Sequence, residues 1–322
     1  MAYEKELATA LAAVRKAGEL CRNVQHNLVD EDTLSKKDRS PVTIADLGSQ
    51  SLVCMEILRS LPDDIVVGEE DTSQLASNEE MKSKVLELVN EQAPGTGEKA
   101  MLEAIDFGGG EAGAGRFWTV DPIDGTKGFL RGDQYAVALG LVEEGRVVVG
   151  VLGCPNLPAS TGGAAVGSLF AAVSGEGAFV EPWEGGERRS VRVDSLNEFA
   201  AARFCESVEK AHAAHDTHAK ISAYLGIETP PYRIDSQCKY ASVARGDASI
   251  YLRLPSSKGY VEKIWDHAAG VIVVEEAGGR VSDVSGRSLD FSAGKTLRNN
   301  TGVIATNGAL HDRVLEAIAK VT

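Results

Sequence analysis

The chain has 322 residues, 43% of them hydrophobic and 25% charged, which suits a folded protein of two domains sharing a sizeable core. Its 33 Lys and Arg against 47 Asp and Glu leave a net charge of -14, which excludes a general nucleic-acid polymer or anionic-membrane surface and obliges any phosphorylated ligand to find local cations. Five scattered cysteines without a C-x-x-C pair point to reduced thiols and a cytoplasmic compartment, with removal of an organellar presequence left open, and no apolar run reaches membrane-spanning length.

Leu7, Leu11, Val14, Gly18 and Cys21 recur at helical spacing, so residues 3 to 28 read as one long amphipathic helix. A polar crossing carrying Lys36 and Lys37 follows. Pro41 then introduces a second helix through VTIADLGSQSLVCMEILRSL, with Thr43 as its cap and Asp46 in its first turn, where a carboxylate favours the helix dipole whatever else it does. Ile65 to Val67 read as a short strand ending in Glu69, Glu70 and Asp71. Residues 72 to 115 read as a polar connector with one helix near Met81 to Asn90. Its closing FGGGEAGAG lacks the lysine and hydroxyl of a phosphate-binding loop and reads as flexible.

Phe117 to Val120 form an apolar, β-prone run whose polarity reverses at Asp121. Pro122 and Gly125 predict a turn that brings Asp121 and Asp124 close together. Two like charges so placed call for a proton or a cation between them, and oxygen ligands of this kind suit Mg²⁺. Thr126 follows at once, its hydroxyl free either to cap its own turn or to face the same site. The next stretch, YAVALGLVEEGRVVVGVLGCP, reads as two strands joined at Glu143 to Gly145. Leu169 to Val173 and Gly177 to Val180 extend an antiparallel sheet, and Val191 to Asp194 closes this half. From Ser195 strands and helices alternate. Phe204 to Ser207, Tyr232 to Asp235 and Ala248 to Leu252 read as strands, Ala213 to Leu225 and Lys239 to Arg245 as helices, an α/β pattern. WDHAAGVIVVEEAGG is a helix stopped by Gly278 and Gly279, with Asp266 at its start as an N-cap or an outward-facing carboxylate. The division expected is an α+β domain over residues 1–194 and an α/β domain over 195–322.

WTVDPIDGTKGF, with GEED at Gly68 to Asp71 and WDHAAGVIVVEEAGG from Trp265, resembles the three motifs of the inositol monophosphatase superfamily, the Mg²⁺-dependent, lithium-sensitive phosphatases. SPVTIADLGSQ, KGFLRGDQYAVALGLVEEG, DSQCKY, YLRLP and EKIWDHAAG are similar to its 3'(2'),5'-bisphosphate nucleotidase branch, the plant members above all. This likeness runs from the first residues to the C-terminal helix, except across about 72 to 115. The resemblance implies an α/β fold, a layered αβαβα sandwich of the inositol monophosphatase and fructose-1,6-bisphosphatase type. It implies two or three Mg²⁺ ions held by Glu69, Asp121, the Ile123 carbonyl, Asp124 and, from across an interdomain cleft, Asp266, with Glu70 left in support or in solvent. Thr126 and Asp46 match the pair that orients and deprotonates the attacking water, Asp46 being the final proton acceptor, and the attack is direct, without a phosphoenzyme. Gly125, Thr126, His212 of VEKAHAAHD, Ser236 and Lys239 of DSQCKY and Arg253 of YLRLP match substrate contacts, the two cations offering phosphate binding in an acidic molecule.

The activity so implied is removal of the 3'-phosphate from adenosine 3',5'-bisphosphate, and from 3'-phosphoadenylyl sulfate, with a small phosphorylated substrate, no nucleic-acid polymer or membrane as partner, and the oligomeric state open. The alternatives are an inositol polyphosphate 1-phosphatase and a catalytically silent phosphonucleotide sensor. A sensor needs only the binding groups, so retention of the whole acidic set argues against it.

Overall fold

The computed structural model describes residues 2–30, 40–163, 166–208, 215–255 and 259–322. Helix α1 (Glu4–Asp30) packs along α2 (Ser40–Ser60), and Leu7, Leu11, Val14, Ala17 and Cys21 are buried on its inner face, the stripe that the spacing predicts. Gly18 belongs to that stripe because the Trp183 ring lies across it. A Cβ added there would stand 2.2 Å from the ring. Gly18→Ala is therefore expected to destabilise the fold, since overpacking costs about 1–3 kcal/mol, more than the ~1 kcal/mol that Ala gains over Gly within a helix. A lower urea midpoint at unchanged slope would register it, and an unchanged midpoint would refute it.

Helix α2 begins at Ser40, earlier than its sequence signals suggest. Pro41 sits in the first turn, where its missing N–H is no loss. Thr43 consequently lies inside the helix and is not its cap, and Asp46 falls in the second turn instead of the first.

The first sheet runs in chain order: β1 (Ile65–Gly68), β2 (Phe117–Asp124), β3 (Ala136–Glu143), β4 (Arg146–Cys154), β5 (Ser168–Val173), β6 (Gly177–Pro182) and β7 (Arg189–Ser190). Only β1 and β2 are parallel. The crossover between them holds two helices, α3 (Glu79–Gln92), capped by Asn78, and α4 (Glu98–Phe107). The FGGG run after α4 is docked on β1, contrary to its reading as a flexible connector. Gly68 N–H donates to the Gly108 carbonyl at 2.7 Å and Gly110 N–H to that of Val66 at 2.9 Å. Glycine is needed for that approach, because a Cβ on Gly110 would come within 2.5 Å of the Val66 oxygen.

The second sheet has the order β11-β12-β10-β8-β9, from β8 (Phe204–Glu206), β9 (Tyr232–Arg233), β10 (Ile250–Arg253), β11 (Arg280–Ser282) and β12 (Val303–Thr306). It is mixed, with β8, β9 and β10 parallel and β12 antiparallel to both β10 and β11. Its helices are α6 (His215–Leu225), α7 (Cys238–Ala244), α8 (Ala268–Glu276) and α9 (His311–Val321), and a short α5 (Thr126–Leu130) follows β2. Residues 191 to 194 are not the closing strand expected of them. Val193 N–H donates to the Ala277 carbonyl after α8, which draws the chain off the first sheet toward the second.

The layers are thus α1 and α2, the first sheet, α7 and α8, the second sheet, and α6 with α9, the αβαβα order that the resemblance implies. Helix α8 lies between two sheets and is apolar all round, buried from Ala268 to Val274. It is seated on glycines of the first sheet: a Cβ at Gly140 would stand 3.0 Å from that of Ala268, and one at Gly150 would meet Ile272 at 2.4 Å. All five cysteines are buried and free, and no described helix is long and apolar enough to cross a membrane.

Candidate active site

The DPID segment is a bulged strand end and not the turn that Pro122 suggests. Strand β2 continues to Asp124, with Asp121 opposite Ala138 and Asp124 opposite Ala136, so three steps along β2 match two along β3. In a regular strand residues three apart face opposite sides. The extra residue in the bulge brings both carboxylates to one side. Ser49 of α2 secures the bulge by donating to the Pro122 carbonyl at 3.0 Å, next to the buried Ile123. The turn comes only at Gly125, at φ +90°, after which α5 starts with the exposed Thr126.

The acidic loop after β1 is clamped by Gln50. Its amide Nε2 donates to the Glu70 carbonyl at 2.7 Å and its Oε1 accepts from the Glu70 N–H at 2.9 Å. Gly68 leaves the room, since a Cβ there would fall 2.4 Å from the Gln50 oxygen. Ser49 and Gln50 are functional supports that the sequence reading missed. Their signal was SPVTIADLGSQ itself, where they follow Asp46 by three and four residues and so share its helix face.

The carboxylates act on one another strongly. Asp121 is buried and its Oδ1 has no hydrogen-bond partner, while burial, then Glu69, Asp124 and Asp266, hold its carboxyl well above the usual range. Glu69, at the start of the loop after β1, is pushed up to about 8 by desolvation and by Asp266, Glu70 and Asp124. Asp124 rises to about 6 through burial and Asp266, against the opposing pull of Lys239, Arg253 and the Gln237 N–H. Asp46 is raised too, by burial and by Glu70 and Glu69. An orphaned buried carboxylate oxygen amid other acids is what a divalent cation would satisfy, although no three of Glu69, Asp121, Asp124 and Asp266 bring ligand atoms within 4.8 Å of one another as they stand.

A pH dependence follows. Carboxyls whose folded pKa exceeds the unfolded value stabilise the fold when protonated, and that stability is lost as pH rises from the unfolded to the folded value. The metal-free protein should therefore melt lower with rising pH, through about 4 to 6 for Asp124 and on to about 8 for Glu69. Calorimetry in chelator at about pH 5 and about pH 8 checks this, and a flat profile would count against it.

The second half closes the site from the other side. Gln237 donates its backbone N–H to Asp124, its side-chain Nε2 to the Trp265 carbonyl at 2.9 Å, and accepts from the Gly270 N–H at 3.1 Å. It thereby joins β2, α7 and α8, a part that sequence did not assign to it. Ser236 sits at φ +66°, facing Gly125, where a Cβ would lie 2.8 Å from its own. Lys239 is buried with its Nζ 5.4 Å from the Tyr251 ring centre, and desolvation lowers its pKa against the raising effect of Asp124. Arg253 ends β10 and pairs with Asp266 at 3.0 Å and Glu262 at 2.8 Å.

Asp266 occupies the turn before α8, whose N-cap is His267, so Asp266 is not the cap. Among the described residues, only Glu262, Asp266 and His267 present three ligand atoms within 4.8 Å of one another. Arg253 already supplies the cation for both carboxylates of that group. His212 lies outside the described residues, as do Lys36 and Lys37.

An αβαβα sandwich with carboxylates from both halves gathered on one cleft defines the class, and the family model agrees: residues 2–322 match the inositol monophosphatase family, to which the chain belongs. Among solved structures it is similar to the inositol monophosphatase from Anabaena (Nostoc), with a TM-score of 0.66 at 21% identity over 100% of this chain and 98% of that one. The Thermotoga maritima enzyme gives a TM-score of 0.60 at 24% identity, covering 94% and 95%. Within the family the likeness is to proteins named 3'(2'),5'-bisphosphate nucleotidase. That from Oryza sativa is 48% identical over 98% of this chain and 94% of its own. That from Emericella nidulans is 45% identical over 100% and 99%, and that from Schizosaccharomyces pombe 44% over 100% and 97%.

Proposed function

We propose that the chain is a 3'(2'),5'-bisphosphate nucleotidase that removes the 3'-phosphate of adenosine 3',5'-bisphosphate to give AMP and phosphate, and that it also accepts 3'-phosphoadenylyl sulfate. The observation that carries this reading is the pair of cations on the acidic cleft of a molecule of net charge -14: Arg253 paired with Asp266, and buried Lys239 close enough to pull down the proton affinity of Asp124. A ligand with two phosphate groups finds counter-charge there and nowhere else on so acidic a surface need supply it. Full-length similarity to several proteins named for this activity supports it.

Mg²⁺, two or three ions on Glu69, Asp121, Asp124, Asp266 and the Ile123 carbonyl, would neutralise the phosphate ester, activate water and ease departure of the alkoxide, with Li⁺ inhibiting by competition. The chain's own contribution is orientation and proton transfer. Thr126, at the start of α5, offers a hydroxyl that accepts a proton from the attacking water as it passes its own to Asp46. A carboxyl of raised proton affinity is the better terminal acceptor of the two. Ser236, facing Gly125, would contact the nucleotide, and His212, outside the described residues, is assigned the same role by family resemblance alone.

Phosphate release from adenosine 3',5'-bisphosphate in Mg²⁺ should exceed that from inositol 1,4-bisphosphate at least tenfold in kcat/KM, ~1.4 kcal/mol of transition-state discrimination. A preference of that size for the inositol ester would overturn the reading.

A further inference from the structure

We propose that Tyr240, His267 and Glu262 form a buried positioning relay that fixes the Arg253 guanidinium, and that Glu262 thereby limits Arg253 to a single hydrogen bond with Asp266 and prevents bidentate pairing. The role given to Arg253 as a substrate contact rests on the function proposed above. Glu262, His267 and Tyr240 are all buried, at 5%, 0% and 1% exposure, so each polar atom needs a partner within the group. Glu262 Oε2 lies 2.8 Å from Arg253 Nε and 3.1 Å from His267 Nε2, and His267 Nδ1 lies 2.7 Å from the Tyr240 hydroxyl.

The directions follow from chemistry. Glu262, paired at 2.8 Å with a guanidinium that is always charged, accepts, so His267 Nε2 carries the proton and Nδ1 accepts from Tyr240. The backbone behind Glu262 is fixed as well, its carbonyl accepting from Leu297 N–H at 2.9 Å and Ile264 N–H donating to the Lys295 carbonyl at 3.3 Å. Tyr240 in turn is held edge-on to Tyr251, ring centres 5.0 Å apart, and against Gly270, where a Cβ would fall 2.3 Å from its ring.

The consequence concerns how one guanidinium is shared. Glu262 holds its Nε edge, while Nη2 turns to Asp266 at 3.0 Å and to the Tyr260 hydroxyl at 3.3 Å. With the Glu262 charge removed, both edges of the planar fork are free for bidentate pairing with Asp266, which would withdraw Arg253 from an incoming phosphate and Asp266 from a cation. Glu262, buried and paired with Arg253 and His267, acts through these neighbours as a positioning residue.

Glu262→Gln, nearly isosteric, is expected to raise KM for adenosine 3',5'-bisphosphate about tenfold and the Mg²⁺ concentration for half-maximal activity severalfold, with kcat at saturation changed less than about threefold. In an Arg253→Ala background the same change should add less than about twofold to KM. Tyr240→Phe, which removes only the outer hydrogen bond, should raise KM about threefold and reports even where Glu262→Gln folds poorly. A fall in kcat at unchanged KM, an equal KM penalty in the Arg253→Ala background, or no effect of Tyr240→Phe would each overturn the relay. The Arg253 Nε–Hε signal, followed by ¹⁵N NMR, should exchange slowly in the wild type and rapidly in Glu262→Gln. Slow exchange in both would also overturn it. This last arm needs no substrate, so a wild type inert toward the bisphosphate would sink the proposed function while the relay is still judged on its own.

Discussion

Asp121→Asn is expected to lower phosphate release by about 10³-fold, the loss of roughly 4 kcal/mol of transition-state stabilisation, while making the metal-free protein more stable. The two effects have one cause. Asp121 is buried with one oxygen unpartnered among Glu69, Asp124 and Asp266, a placement that raises its proton affinity and costs folding energy unless a cation shares the site. The amide keeps the shape and removes the repulsion. In chelator at neutral pH the variant should melt about 2–4 °C above the wild type, whereas with Mg²⁺ the order should reverse, because only the carboxylate gains from the ion. Matched calorimetry with and without Mg²⁺, beside steady-state kinetics, reads both. A variant equally active, or less stable in chelator, would show that Asp121 is not a cation ligand.

Gly125→Ala should be the most damaging change that leaves every charged group in place. Gly125 adopts φ +90°, where a Cβ is strained by about 1–2 kcal/mol, and that Cβ would also stand 2.8 Å from the Cβ of Ser236. Ser236, itself at φ +66°, has no slack to give, and the next residue, Gln237, donates to Asp124. The substitution therefore pushes apart the two backbones that meet at the site, with an expected loss of about 10²-fold in kcat/KM from misplacement alone. Stability should fall by about 2–3 kcal/mol, and the double variant with Ser236→Gly should regain part of it, the crowding being relieved while the strain at position 125 remains. Wild-type kinetics in Gly125→Ala would mean that the junction tolerates movement.

Much of this architecture was legible in the residues. The abrupt change from Val120 to Asp121 marks the end of an apolar strand run, and the hairpin at Glu144 and Gly145 is visible in the polar break between β3 and β4. What escaped has local physical reasons. The bulge at Asp121 to Asp124 looks like a turn because Pro122 signals one, yet pairing with β3 carries the strand through. Helix α4 was hidden because it is only ten residues long and set between Gly97 and Gly108, and the docked FGGG run because its glycines serve close approach to Val66, not freedom. Strands β11 and β12 are three and four residues long, too short to announce themselves between loops. For the site, acidic residues were readable from motifs, and spacing puts Ser49 and Gln50 on the Asp46 face of α2, but the groups that they and Gln237 bond to lie across the fold, which one chain's spacing does not reveal. Likewise the engagement of Arg253 by Glu262 depends on two strands of sequence converging in space.

The seating of α8 on Gly140 and Gly150 has a bearing on where Asp266 stands. Ala268 and Ile272 touch bare backbone of the opposite sheet, so the helix can neither roll nor retreat without opening a void in a packed interior. Asp266, just ahead of that helix, is thereby tied to the sheet that carries Asp121 and Asp124. A bulkier residue at either glycine would lift the helix off the sheet, and with it the carboxylate that stands just before it.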